Sequence, residues 1–151
     1  MVRQEAIKRA AQRGNAALEF ALSFVLIWTL LAGMYQFGYA MYVYASLASA
    51  VADGARYASH VEFDAPAHTF VNKVKNMTVY GNTSGTGSPL APSLSTSQVG
   101  VVWATDALGV PQTITVRISS YTVTAFRSYT YINKPRLTVK FVGPYTTPGP
   151  I

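Results

Sequence analysis

The chain has 151 residues, no cysteine, and a formal net charge of +6 from twelve Lys and Arg against six Asp and Glu. Lack of cysteine excludes a disulfide framework, a thiol nucleophile and a thiolate metal site, and the length allows one modest domain plus an anchor. The basic residues are not gathered as nucleic-acid binding requires. Arg3, Lys8, Arg9 and Arg13 fall in the first fourteen residues against the single acid Glu5, and the other eight are scattered, with no RNA-binding aromatic signature or zinc-ligand spacing.

A membrane segment comes next. From Phe20 to Ala52 there is no charged residue over 33 positions. As a helix this run would be ~50 Å long against a hydrocarbon core of ~30 Å, so it spans a bilayer and continues beyond it. Phe20 to Leu31 is strongly apolar, whereas Tyr35, Phe37, Tyr39, Tyr42 and Tyr44 are aromatics of the interfacial kind. The bilayer is therefore expected to end near Tyr35 to Tyr42. Ala45, Ala48, Ala52, Ala55 and Ser59 then recur at spacings of three and four, a stripe of small residues that permits close helix packing. Packing on its own domain and packing on neighbouring chains both satisfy that stripe. Basic residues ahead of the span place residues 1–14 in the cytoplasm and export the remainder. A cleaved secretory signal would have a shorter apolar core of ~7–15 residues, although Ala48-Ser49-Ala50 has the small residues of a cleavage site.

Glu19 stands at the mouth of this apolar run. A charge deep in the bilayer costs at least ~2.5–3.5 kcal/mol, so an acid here calls for a named partner. Cleavage after Gly14 would create one. Asn15 would become the amino terminus, and Glu19, four residues on, would share its helix face and oppose the positive end of the helix dipole. The stretch Gly14-Asn15-Ala16-Ala17-Leu18-Glu19-Phe20 looks like the processing motif of type IV prepilins, and "RGNAALEFAL", with Arg13 on its flank, resembles the TadE-like pseudopilins of tight-adherence (Tad) pili. Asn15 stands where many type IV pilins have phenylalanine. Phe20 stands where the small major Tad pilins usually have tyrosine, which is closer to the TadE-like group.

The resemblance implies a basic leader, 1–14, removed by a membrane-embedded prepilin peptidase in the bacterial inner membrane. It also implies partnership with other pilin subunits, the inner-membrane assembly platform and the lipid bilayer, with Glu19 setting subunit register by pairing with an amino terminus. A filament subunit with roles in pilus assembly and surface adhesion follows, without enzyme activity or cofactor.

Beyond the long helix, 15–60, Pro66 breaks the chain and can start a new helix, in which Phe70, Val71, Val74 and Met77 share a face. His60, Glu62, Asp64 and His68 lack metal-ligand spacing. The Asn76 and Asn82 sequons are short enough to arise by chance. Residues 81–98 draw 15 of 18 positions from Gly, Pro, Ser, Thr, Asn and Gln, the composition of a flexible surface loop, and lack the ending of a phosphate-binding loop. From Val99 the apolar period becomes two. Ile114, Val116 and Ile118 alternate with Thr113, Thr115 and Arg117, and after Ser119-Ser120 the parity shifts to Tyr121 and Val123, predicting a bulge or bend.

The expected architecture is α+β: a long N-terminal transmembrane helix, then a small exported domain over 61–143 with a short helix and three or four antiparallel strands, then a tail over 144–151. No catalytic constellation is present in the sequence. The alternatives are an uncleaved single-pass anchor whose exported domain binds a partner or envelope polymer, and a secreted protein cut near Ala50.

Overall fold

The computed structural model describes residues 2–64, 69–107 and 109–144, with side chains from Asn15 onward. Pro66, His68 and the tail from residue 145 lie outside the described residues. In order come α1 (Val2–His60), α2 (Thr69–Tyr80), a 3-10 turn (Thr96–Gln98), β1 (Val99–Thr105), β2 (Pro111–Ile118), β3 (Ser120–Thr124), β4 (Ser128–Ile132) and β5 (Arg136–Lys140). This is the α+β architecture read from the sequence. The chain divides into two units, Met1–Tyr39 and Ala40–Ile151. The first is helical throughout its described residues.

In the second unit, α1 buries Val43, Leu47, Ala50, Val51, Ala55 and Ala58, an apolar face at the three-and-four spacing that brings residues onto one side of a helix. The face is built from alanines at its far end, which lets other backbones come close. Against it crosses α2, whose buried positions are Phe70, Val74, Thr78 and Val79. Phe70 and Val74 are positions the periodicity predicts inside; Thr78 joins them because its hydroxyl is satisfied by donating to Val74 O within its own helix at 2.8 Å. Gly81, at φ +70° and with its N–H on Met77 O at 3.0 Å, ends α2 in the left-handed conformation glycine adopts freely.

The crossing turns on Gly54. A Cβ there would lie 1.9 Å from Thr78 Oγ1 and 3.0 Å from Thr78 Cβ, far inside contact distance. Gly54→Ala should therefore destabilise this unit by about 1–3 kcal/mol through overpacking, despite alanine's better helix propensity. Adding Thr78→Ala should recover part of the loss. Thermal unfolding of the two single variants and the double variant checks this; equal losses in the presence and absence of Thr78 Oγ1 would mean that the helices do not meet here.

The strands form two antiparallel sheets, one ordered β1-β2-β5 and the other β3-β4. On the central strand, Ile114 lies opposite Trp103 and Val139, and Val116 opposite Val101 and Leu137. Ile114, Val116 and Ile118 are fully buried, as the two-residue alternation requires. The parity shift marks where the chain leaves one sheet for the other. Ser119 donates its N–H to Gln98 O at 2.7 Å while its carbonyl accepts from Asn133 N at 3.1 Å, and β3 then buries Tyr121 and Val123. Among the described residues there are five short strands where three or four were expected, because the break at Ser119-Ser120 divides the run into β2 and β3 in separate sheets.

Phe63 joins the parts. Its ring meets Phe70 at 5.1 Å, Trp103 at 5.5 Å and Phe141 at 5.9 Å between centroids, all edge-on. Its N–H donates to Pro144 O at 2.9 Å, and Val142 N donates to Ser59 O at 2.9 Å. The chain after β5 thus returns beside the end of α1. The segment 81–98 is tied down by buried Ala91 and Leu94, by the Tyr121 hydroxyl donating to Pro92 O, and by Asn82 Oδ1, which accepts from Gly85 N at 2.9 Å and Thr86 N at 3.3 Å, an Asx-type turn.

Candidate functional site

In the first unit, α1 is helical on both sides of the Gly14–Asn15 bond. A chain beginning at Asn15 would therefore begin within helical sequence, and its first four N–H groups would have no intrahelical partner. Asn15, Glu19 and Phe20 are exposed. Four residues separate Asn15 from Glu19, placing both on one face. The side chains of residues 2–14, including Arg13, lie outside the described residues.

Around and beyond Glu19 the helix is apolar on every side, with Leu18, Phe20, Leu22, Phe24, Val25, Leu26, Ile27 and Trp28 all exposed. Phe20, Phe24 and Trp28 form a ridge, with successive ring centroids 6.3 Å apart. The Thr29 hydroxyl donates to Val25 O at 2.7 Å, so this polar group is satisfied inside the helix, as an apolar surrounding demands. Tyr35 and Tyr39 stack at 6.2 Å. Asn15–His60 contains a window of mean hydropathy 1.9, none of it buried, long and apolar enough to cross a membrane. Side chains of this kind left bare by their own chain need lipid or other helices around them.

The small-residue stripe does not form a single surface. Ala55 is in the core of the second unit, Ala48 and Ala52 are half-buried, and Ala45 is exposed. Together with Tyr44 and Val51, Ala48 and Ala52 line a groove of about 470 Å³ whose other wall is Lys134, Pro135, Arg136 and Leu137. The face that α1 buries is rotated from the stripe toward Val43, Leu47 and Ala50. Spacing alone missed this rotation because small and large apolar residues alternate around this helix.

The polar junction after α1 holds no gathered ligand set. His60 Nδ1 is engaged with Ser59 Oγ at 2.7 Å and Arg56 O at 3.1 Å, and among the described residues no group of three or more His, Cys, Asp or Glu is placed to hold a metal. His68 lies outside the described residues.

Residues 14–56 match the family model described as TadE-like protein. The matched segment starts at Gly14, contains Glu19 and Phe20, and extends through Ala55 to Arg56. The resemblance read from Gly14 to Phe20 is borne out over this segment, which is consistent with a TadE-like pilin of the Tad pilus system. No curated protein and no solved structure matches the chain.

Proposed function

We propose that this chain is a minor structural subunit, a pseudopilin, of a Tad-type pilus or related secretion filament. A prepilin peptidase cuts after Gly14 on the cytoplasmic side of the bacterial inner membrane, the mature chain stays anchored by α1, and the assembly platform then draws it among other pilin subunits. The observation that carries this reading is the family match beginning at Gly14, on a helix that leaves both Glu19 and its apolar surroundings uncovered.

The chemistry of the steps follows from those residues. The four basic residues of the leader hold the scissile bond on the cytoplasmic side. Cleavage removes them and exposes an ammonium at Asn15. A carboxylate four residues away, on this chain or at the same height on a neighbour, neutralises it in a medium where an isolated charge is costly. The apolar ridge of Phe20, Phe24 and Trp28 exchanges lipid for other helices without losing apolar contact. The second unit, with its own core, is displayed on the outer side, where pilus assembly and surface adhesion are its expected roles.

The test is the amino-terminal mass of the membrane-extracted protein, with and without co-expressed prepilin peptidase. A chain beginning at Asn15 only in the presence of the peptidase is the expected result. A chain beginning at Met1 under both conditions would replace this reading with that of an uncleaved anchor, and one beginning near Val51 would make α1 a secretory signal.

A further inference from the structure

In the three-stranded sheet β5 is an outer strand, bonded to β2 on one side only. Phe141 N donates to Gln112 O at 3.0 Å and Ile118 N to Pro135 O at 3.0 Å. Between these bonds the register sets Lys140 opposite Thr113, Thr138 opposite Thr115 and Arg136 opposite Arg117. Bonded and unbonded pairs alternate along an antiparallel ladder. Leu137 and Val139 therefore bond β2, whereas Arg136, Thr138 and Lys140 turn their N–H and C=O groups outward. Those outward groups have no backbone partner among the described residues, and all three residues are exposed.

The charge on this edge is uncompensated. Arg117 and Arg136 are opposed at an unbonded pair, where side chains approach most closely, and like charges so placed repel. Arg117 passes over Gly100, where an added Cβ would lie 3.1 Å from its Nε, and that Nε is buried without a partner. After Asp106 the sequence has no acid, against five basic residues. The acids of the second unit are engaged within the chain, Asp53 with Arg56 and Glu62, Asp64 and Asp106 with other groups. None of the strands contains an acid, so a second copy of the chain offers no acidic strand to this edge. On the opposite face of β5, Leu137 lines the groove that Ala48 and Ala52 border from α1.

We infer that the β5 edge takes an extended segment of another protein, in which acidic residues alternate with apolar ones. It adds antiparallel, as both existing pairings in this sheet do. Main-chain bonds to Arg136, Thr138 and Lys140 supply affinity, and the alternation supplies selectivity. Every second side chain of the added strand falls beside those three residues, where a carboxylate relieves the opposed arginines. The side chains between them fall on the side of Leu137, where the groove receives apolar groups. Basic residues on an outer strand guard it against pairing with like strands, and a guard made of charge admits the opposite charge. The inference goes beyond the filament reading and stands on the second unit alone, whatever residue begins the chain.

The probe is a capped, fluorescent peptide, Asp-Val-Asp-Val-Asp, equal in length to the five residues of β5, added to the full chain in micelles of a non-ionic detergent. Saturable binding is expected, and by NMR the amides of Arg136, Thr138 and Lys140 should exchange with solvent more slowly. Those of Leu137 and Val139, already bonded to β2, should change little. N-methylation of the central Asp, which removes its bond to Thr138, should weaken binding about tenfold, the worth of about one hydrogen bond. N-methylation of a Val, whose N–H points away from β5, should leave it unchanged. Arg136→Glu combined with Lys140→Glu should abolish binding of this peptide and confer binding of Lys-Val-Lys-Val-Lys, with the near-ultraviolet circular dichroism unchanged. No binding by the parent chain overturns the proposal. Binding that is indifferent to the position of the N-methyl group and vanishes in high salt is general charge attraction, and overturns it too. Slow exchange at residues 136, 138 and 140 before any peptide is added means an edge already covered; if that protection rises with protein concentration, the edge belongs to a second copy, and the proposal falls in either case.

Discussion

Replacing Phe63 with alanine is expected to lower the stability of the second unit by about 3–5 kcal/mol, the usual cost of deleting a buried aromatic ring. The midpoint should fall by more than ~10 °C, since each kcal/mol moves a domain of this size by several degrees. The magnitude follows from what the ring joins. It lies just past the end of α1 and meets Phe70 of α2, Trp103 of β1 and Phe141 after β5 within 6 Å. Edge-on aromatic pairs add about 0.5–1.5 kcal/mol each beyond the area they bury, so Phe63→Leu should restore only part of the loss. Near-ultraviolet circular dichroism of the full chain in detergent is the suitable readout, because α1 dominates the far-ultraviolet signal and survives the change. Phe126→Ala, which removes an exposed ring, should stay within about 0.5 kcal/mol of the parent. A Phe63→Ala variant that melted like Phe126→Ala would mean that the cluster does not hold the elements together.

Phe63 also shows where sequence reasoning stops. Its neighbours His60, Glu62 and Asp64 make the junction read as a polar linker, and no periodicity flags one ring among them, because two of its three partners, Trp103 and Phe141, lie far along the chain. Gly54 is hidden for the same reason: only the crossing of α2 at Thr78 gives that glycine its purpose. Some local features were legible. The uncharged run from Phe20 to Ala52 becomes part of one unbroken helix; Phe70 and Val74 are buried on α2; and the alternation of Ile114, Val116 and Ile118 points into the core. The parity shift at Ser119-Ser120 was visible, but its meaning was not. A bend within one sheet and a crossing between two sheets give the same pattern, and only the bonds of Ser119 to Gln98 and Asn133 distinguish them. At the candidate site, Gly14, Asn15 and Glu19 could be proposed from sequence because they fall within one short stretch of a single helix. The stripe from Ala45 to Ala55 was less legible, since which side of a helix is covered depends on what packs there.

The proposed role of Glu19 predicts a separation of two steps. Glu19→Gln should be processed as the parent is, giving a chain that begins at Asn15, because the substitution leaves Gly14 and the basic leader intact. Assembly should then fail. In a filament the Asn15 ammonium would lie among apolar side chains such as Phe20 and Phe24, and glutamine offers it a dipole but no charge. Removing one member of a buried ion pair costs about 3–5 kcal/mol, mostly because the other is left uncompensated, and every ~1.4 kcal/mol is tenfold in an equilibrium. Incorporation into sheared filaments, relative to the membrane pool, should therefore fall on the order of 10²- to 10³-fold. Insertion of the single chain into the bilayer should not suffer, since a neutral amide is less costly there than a carboxylate. This direction separates the pairing role from a mere need for Glu19 in anchoring. Glu19→Asp, which keeps the charge but shortens the reach by one methylene, should assemble at an intermediate level. If Glu19→Gln enters filaments as readily as the parent, the carboxylate is an interfacial charge at the mouth of the span, and subunit register must come from the ridge of Phe20, Phe24 and Trp28 and the groove beside Ala48 and Ala52.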